Sequence, residues 1–93
     1  MATFHYVYIL TSQSAPDQIY IGLTTNLAKR LESHNAGLSK HTAKFRPWRI
    51  RVAIAFPSRE KAAAFERYLK SHSGRAFSSK HFWLRLRTCG TRP

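Results

Sequence analysis

Acidic residues and cysteine are scarce in this sequence of 93 residues. Four Asp and Glu stand against 16 Lys and Arg, which gives a formal net charge of +12 and a pI near 11.0. The positive field of such a chain concentrates polyanions, and nucleic acid is the usual polyanion that basic proteins bind. The single cysteine, Cys89, excludes an intrachain disulfide and a zinc site with several cysteine ligands, so we expect a reducing compartment.

Long apolar runs are also missing. A membrane-spanning helix needs about 20 consecutive apolar residues, and the sequence contains neither such a run nor a helix with one apolar and one basic face. The chain passes from Met1 almost directly into the apolar segment that begins at Phe4, without the basic and apolar regions of a secretory signal. We therefore expect no membrane partner and a cytoplasmic location.

The hydrophobic content, 43% of residues, is high enough to fill a core. We therefore expect one folded domain over residues 1–93. Aromatic and β-branched segments predict three strands, at 4–11, 19–23 and 48–56. The first should be central, because polar residues hardly interrupt it, and it should form a hairpin with the second. Alternation in the third strand predicts one shared face for Trp48, Ile50, Val52, Ile54 and Phe56.

Capping residues and apolar stripes predict three helices, at 27–35, 58–71 and 73–87. Ala36 and Gly37 should end the first helix. The segment at 38–47 is polar and basic, and we expect a basic loop there, with a short helix as an open alternative. The residues at 88–93 are expected to be a frayed tail. The order β-β-α-β-α-α predicts an α+β fold whose sheet is antiparallel at least in its hairpin.

The small number of acids limits the kind of nuclease that this chain can be. A two-metal nuclease needs several converging carboxylates, whereas the only acids here are Asp17, Glu32, Glu60 and Glu66. A nuclease built on this chain would use one divalent ion, held by one carboxylate, water and a substrate phosphate, as Mg²⁺ accepts. Glu66 lies at the edge of the apolar stripe of its helix, unlike Glu60. The alternative for Glu66 is an exposed salt bridge with Lys70.

Arg30 and His34 are four residues apart on the first predicted helix, beside Leu27 and Leu31. An arginine in this position can clamp a phosphate with two hydrogen bonds, and a neighbouring histidine can donate to it or move protons. The alternative is that both side chains are solvated and only cover the helix edge.

Two tyrosines occupy the predicted hairpin. A suitable register would bring the phenols of Tyr8 and Tyr20 to one face of the sheet. Gly22, two residues after Tyr20, would leave that face open for a ligand or another backbone. The alternative for each tyrosine is simple packing, because aromatic residues favour strands.

Together these residues resemble the signature of the GIY-YIG nuclease superfamily. The segment YVY at 6–8, the YIG at 20–22, Arg30 with His34, and Glu66 follow each other in the order of that signature. The chain is similar to the small stand-alone members and to the amino-terminal domain of the nuclease subunit of bacterial excision repair. The resemblance implies a three-stranded antiparallel sheet flanked by helices. It also implies an endonuclease that cuts DNA, with branched or damaged DNA, as in DNA repair, among the candidate substrates.

The similarity extends over about residues 4–82 and implies a role for each residue of the set. Tyr8 and Tyr20 correspond to the two active-site tyrosines of the family. Arg30 corresponds to its phosphate-binding arginine, and Glu66 to the single ligand of one Mg²⁺ or Mn²⁺ ion. The implied products are 5′-phosphate and 3′-hydroxyl ends.

The base that takes the proton of the attacking water is left open by the sequence. The resemblance favours Tyr8, but a phenol with a pKa of about 10 needs neighbouring positive charge. His34, which matches a histidine of some members, is the rival, because its ordinary pKa is near 6.5. Lys40 and Lys44, with the backbone at Gly22, are expected to contact the substrate.

Two departures from the family pattern leave other functions open. The first motif has YVY in place of GIY, and no asparagine follows Glu66, although Ser78 or Ser79 could substitute. An inactive nucleic-acid-binding module on the same fold is therefore an alternative. A basic protein that assembles with RNA is another, but it leaves the tyrosine, arginine and glutamate set unexplained. So small a domain has little surface for reading bases, so strict sequence specificity is not expected.

Overall fold

The computed structural model describes residues 3–71, and the strands within them form one sheet. Strand β1 is His5–Ser12, β2 is Ile19–Thr24 and β3 is Trp48–Phe56. The order is β2-β1-β3, and both pairings of β1 are antiparallel. The α+β class, the central first strand and the hairpin are thereby confirmed.

The helices of the described residues are α1 (Leu27–Asn35), α2 (Lys40–Ala43) and α3 (Arg59–Lys70). The first and third match predicted helices closely. The second corrects the prediction of a basic loop, so the described order is β-β-α-α-β-α. None of the described helices is long and apolar enough to cross a membrane. The predicted helix at 73–87 and the tail lie outside the described residues.

A β-bulge in β3 determines which side chains face each side of the sheet. Ile9 of β1 pairs with Val52. The next residue, Leu10, pairs with Ile50, which makes Arg51 the extra residue of the bulge. Because side chains alternate between faces, the extra residue places Val52 on one face and Ile50 on the other. The prediction that all five large apolar residues of β3 share one face is therefore wrong.

The two faces of the sheet carry two separate hydrophobic cores. On one face α3 packs against β1, and the buried residues are Val7, Ile9, Ala62 and Leu69. On the other face α1 packs through Leu27 and Leu31, and the buried residues are Tyr8, Leu10 and Trp48. Successive residues of β1 thus enter opposite cores, and Tyr8 enters the core beneath α1.

Asn35, the last residue of α1, fastens that helix to the start of β3. Its Oδ1 accepts a hydrogen bond from the backbone N–H of Trp48 at 2.6 Å, and its Nδ2 donates to the Trp48 carbonyl at 3.0 Å. The indole Nε1 of Trp48 donates to the carbonyl of Thr42 in α2 at 2.8 Å. The chain leaves α1 at Gly37, whose φ of 80° suits glycine. These contacts hold α1 and α2 over the face that carries Tyr8.

Candidate active site

The hydroxyl of Tyr8 lies at the centre of a buried hydrogen-bond network. Tyr8 stands in the middle of β1 and is 1% exposed. Arg30 Nε donates to its Oη at 3.2 Å, and Oη lies 3.1 Å from His34 Nε2. The sheet and α1 therefore bring three of the sequence-predicted residues into direct contact.

Gly22 makes room for the Tyr8 ring. The hairpin register sets Gly22 directly opposite Tyr8. A Cβ atom at Gly22 would lie 2.5 Å from Cζ of that ring and 2.9 Å from Cε1, and it would also meet the hydroxyl. A larger residue therefore cannot fit unless Tyr8 moves. The sequence predicts that this space is open for a ligand or another backbone. In the structure Tyr8 itself fills it.

Tyr20 lies on the same face, as the hairpin register requires. Its ring centroid is 6.2 Å from that of Tyr8 and 4.8 Å from that of His34. Together with Tyr8, whose effect is larger, it raises the pKa of Arg30. The half-buried Tyr20 ring thus forms one wall of the cluster.

His34 is completely buried on α1, at 0% exposure. Its Nδ1 atom lies 2.8 Å from Oγ1 of Thr42, which is itself 1% exposed. The alternative that His34 is a solvated side chain on the helix edge is therefore wrong. Thr42 was absent from the predicted set, because it lies in the segment expected to be a loop and nothing in the sequence pairs it with His34.

Burial and the guanidinium together determine the protonation of the cluster. Desolvation raises the pKa of Tyr8 above its ordinary value of 10.0, against the opposing effect of the Arg30 hydrogen bond. Desolvation lowers the pKa of His34 below 6.5, and the charge of Arg30 lowers it further. The hydrogen bond to Tyr8 raises the pKa of Arg30. At neutral pH the cluster is a neutral phenol, a neutral imidazole and a guanidinium.

Glu66 lies on α3, and its side chain is 20% exposed. Its Oε2 forms an ion pair with Lys70 Nζ at 3.1 Å, which is the pair that the alternative interpretation expected. Its charge also raises the pKa of Tyr8, and it is the only carboxylate of the described residues that does so. Within residues 3–71 no three His, Cys, Asp or Glu side chains converge. The described residues therefore contain no ready-made multi-carboxylate metal site.

Lys40 and Lys44 lie at the two ends of α2 and are both exposed. Lys44 Nζ is 5.3 Å from the centre of the Phe45 ring. Helix α2 thus places the buried hydroxyl of Thr42 against His34, and the exposed cations Lys40 and Lys44 lie at its two ends. Ser78 and Ser79, the possible substitutes for a downstream asparagine, lie outside the described residues.

The model of the GIY-YIG catalytic domain matches residues 4–80. Similar curated proteins are named structure-specific endonuclease subunit SLX1. That of Scheffersomyces stipitis is 38% identical over 71 residues, which cover 69% of this chain and 21% of the relative. That of Malassezia globosa is 39% identical over 92 residues, which cover 92% of this chain and 19% of the relative. This chain therefore spans about a fifth of the length of these relatives.

A similar solved structure matches this chain over most of its own length. It is the solution NMR structure of a UPF0213 protein from Bacillus halodurans, with a TM-score of 0.50 and 32% identity. The match covers 85% of this chain and 86% of that chain. A protein of similar size therefore shares this fold.

Replacing Gly22 with alanine should destabilise the fold, because the new methyl group collides with Tyr8. We expect a loss of about 1–3 kcal/mol in the free energy of unfolding, the usual effect of overpacking. Urea unfolding measures it. In a Tyr8→Phe background the loss should be smaller, since the hydroxyl is among the atoms that the methyl group meets. An equal loss in both backgrounds would show that the hydroxyl does not contribute to the collision, and the absence of any loss in the Tyr8 background would contradict the prediction.

The folded chain should lose stability as the pH falls below about 6.5. The pKa of His34 is lower in the folded state than in the unfolded state, so the unfolded chain binds more protons in this window. The stabilising contribution is present above 6.5 and is lost as the pH falls through the folded pKa. Urea unfolding at several pH values should show a flatter dependence for His34→Gln. The exposed His41→Gln is the control, and a His34→Gln slope equal to the parent's would contradict the prediction.

Proposed function

Because this chain belongs to the GIY-YIG catalytic domain family, we propose that it is an endonuclease that hydrolyses phosphodiester bonds in DNA. Its choice of substrate would be structure-directed or weakly sequence-specific. The buried Arg30–Tyr8–His34 network carries the proposal, because it joins a phenol and an imidazole to a guanidinium that can hold a phosphate. The name of the SLX1 relatives and the net charge of +12 support the same activity.

Tyr8 and His34 act as one proton acceptor in this proposal, since a hydrogen bond joins them. The water oxygen forms a bond to phosphorus, and the bond from phosphorus to the 3′ oxygen breaks with its electron pair going to that oxygen. One water proton goes to Tyr8 Oη as the phenol proton passes to His34 Nε2. The 3′ oxygen takes a proton from solvent, which gives 5′-phosphate and 3′-hydroxyl ends, and His34 returns its proton through Tyr8 to solvent before the next turnover.

Arg30 both orients Tyr8 and binds the phosphate. A guanidinium has five N–H groups, of which the Nε–H is used on Tyr8. The remaining donors of this partly exposed side chain are available for phosphate oxygens. Its positive charge then stabilises negative charge on the attacked phosphate.

Glu66 is the residue that would hold a divalent ion. Its carboxylate is mostly shielded from solvent and acts electrostatically on Tyr8, and one carboxylate with water and a phosphate suits Mg²⁺ or Mn²⁺. When bound, the ion would stabilise charge on the phosphate and the departing oxygen. Lys70, more than half exposed, would release the carboxylate by turning into solvent.

The ion pair with Lys70 favours a second candidate, a nucleic-acid-binding module without useful catalysis. In that case Glu66 is a structural partner of Lys70, and affinity comes from lysine and arginine contacts to phosphates. The two candidates differ in whether Glu66 is needed for cleavage.

Cleavage should require Tyr8, Glu66 and a divalent ion. Labelled duplex, single-stranded and branched DNA would be incubated with the purified chain in Mg²⁺, Mn²⁺ or chelator, under single-turnover conditions. Tyr8→Phe keeps the ring but removes the hydroxyl, so the rate should fall about 10²- to 10⁴-fold, the usual contribution of a positioned base. Glu66→Gln should abolish cleavage and leave DNA binding largely intact.

Glu60→Gln is the matched control, because it removes a carboxylate from the exposed first turn of the same helix. It should cleave at the parent rate. Undiminished cleavage by Glu66→Gln, or in excess chelator, would eliminate the single-metal mechanism. DNA binding without cleavage of any substrate by the parent chain would favour the binding module.

Binding should weaken steeply with salt, and Lys40 and Lys44 should contribute to the slope. Each phosphate contact adds about 0.9 to the slope of log affinity against log salt for duplex DNA. Changing both lysines to alanine should therefore flatten the slope. Changing Arg59 and Lys61 to alanine removes the same charge from α3 and is the control. Equal flattening by the two pairs would show that net charge, and not α2, determines the contact.

A further inference from the structure

Thr42 stands behind His34, on the side away from Tyr8. Its Oγ1 lies 2.8 Å from Nδ1 of His34, and both side chains are at least 99% buried. The same Oγ1 lies 3.4 Å from the carbonyl oxygen of Ser39, which can only accept a hydrogen bond. No charged partner of His34 lies at this position among the described residues, so the hydroxyl alone faces Nδ1.

The direction of each hydrogen bond follows from the available protons. Arg30 Nε can only donate to Tyr8 Oη, and the Ser39 carbonyl can only accept from Thr42. If the Thr42 hydroxyl donates to Ser39, its oxygen accepts from Nδ1–H of His34. A neutral imidazole has only one N–H, so Nε2 is then the acceptor for the phenol proton of Tyr8.

The opposite order leaves a buried proton without an acceptor. If Thr42 donated to Nδ1, then Nε2 would carry the imidazole proton and donate to Tyr8. Within residues 3–71, the Tyr8 hydroxyl is hydrogen-bonded to Arg30 and His34. Both would then be donors, and the phenol proton would be buried without an acceptor, which is unfavourable. When each group donates to the next, from Arg30 through Tyr8, His34 and Thr42 to Ser39, every proton that joins these groups has an acceptor.

We propose that Thr42 is a positioning residue that holds His34 in the Nδ1–H tautomer, so that the Nε2 lone pair faces the hydroxyl of Tyr8. The catalytic part of this proposal rests on the proposed nuclease function. The tautomer itself is a property of the folded chain that can be measured without any substrate.

The attachment of α2 fits this role. Thr42 would be free to turn away if this single-turn helix moved, but its carbonyl accepts hydrogen bonds from the Trp48 indole at 2.8 Å and from Phe45 N–H at 3.1 Å. The Thr42 N–H donates to Ser39 at 3.2 Å. The backbone of Thr42 is therefore fixed on both sides, which fixes the hydroxyl that faces His34.

The tautomer is tested by the ¹⁵N chemical shifts of the His34 ring in the full chain, assigned by comparison with His34→Gln. The parent should show a protonated Nδ1 and an unprotonated Nε2, and Thr42→Ser should keep this pattern because it keeps the hydroxyl. Thr42→Val has nearly the same shape without the hydroxyl, so the proton should move wholly or partly to Nε2. Thr42→Ala provides the same comparison without the extra methyl group if the valine variant does not fold.

Cleavage kinetics test the consequence for the reaction. Thr42→Val should lower kcat about 10- to 100-fold, the size of effect seen when the orienting partner of a metal-binding histidine is removed, with KM changed less than about twofold. Thr42→Ser should restore most of kcat. A parent chain with protonated Nε2 would overturn the proposal, and so would a Thr42→Val variant that keeps both the parent tautomer and the parent kcat. Equal loss of kcat in the serine variant would also overturn it.

Failure of the proposed function is distinguishable from failure of this inference. If the parent chain cleaves no substrate, the ring shifts alone decide whether Thr42 sets the tautomer. If the parent cleaves but the tautomer is the opposite one, the nuclease function stands and the role of Thr42 is lost.

Discussion

A hydroxyl buried without a hydrogen-bond partner costs about 1–3 kcal/mol, and the phenol of Tyr8 imposes this requirement on most of the structure around it. Its ring occupies the space above Gly22, so the opposing strand must have glycine there. Its hydroxyl is satisfied by Arg30 and His34, which must face the sheet from α1. His34 is satisfied in turn by Thr42 of α2. One residue of β1 therefore constrains the neighbouring strand and two helices.

The same contacts stabilise the fold and shape the site. A helix as short as α2 has no stability of its own, and it is held by the Trp48 indole and by the hydroxyl that faces His34. Asn35 binds the backbone of Trp48 from the end of α1. Tyr8, Arg30 and His34 consequently stand on elements that hydrogen bonds join to each other. Precise placement of catalytic groups depends on this kind of support.

Local sequence patterns predict most of the strands and helices, because alternation, helical stripes and capping residues each involve residues that are close together in the sequence. The bulge at Arg51 was not predictable, since it arises from the pairing of two strands far apart in sequence. The filling of the space above Gly22 depends on the hairpin register in the same way. Helix α2 and Thr42 were missed because no apolar stripe marks a single turn. The roles of Tyr8 and Glu66 stay predictions, since geometry brings groups together without showing that they react.

Charge explains how a base can operate in so positive a chain. The neutral imidazole of His34 accepts a proton poorly, since burial lowers its pKa and the charge of Arg30 lowers it further. In the proposed mechanism a phosphate bound to Arg30 would offset part of this charge, so substrate binding would raise the proton affinity of His34. Substrate binding and basicity are therefore coupled in the proposed mechanism. An acidic side chain in the position of Thr42 would make His34 a stronger base whether or not substrate is bound. It would also repel the phosphate. A neutral hydroxyl such as that of Thr42 orients the imidazole without that repulsion, which suits a protein with four acids in 93 residues.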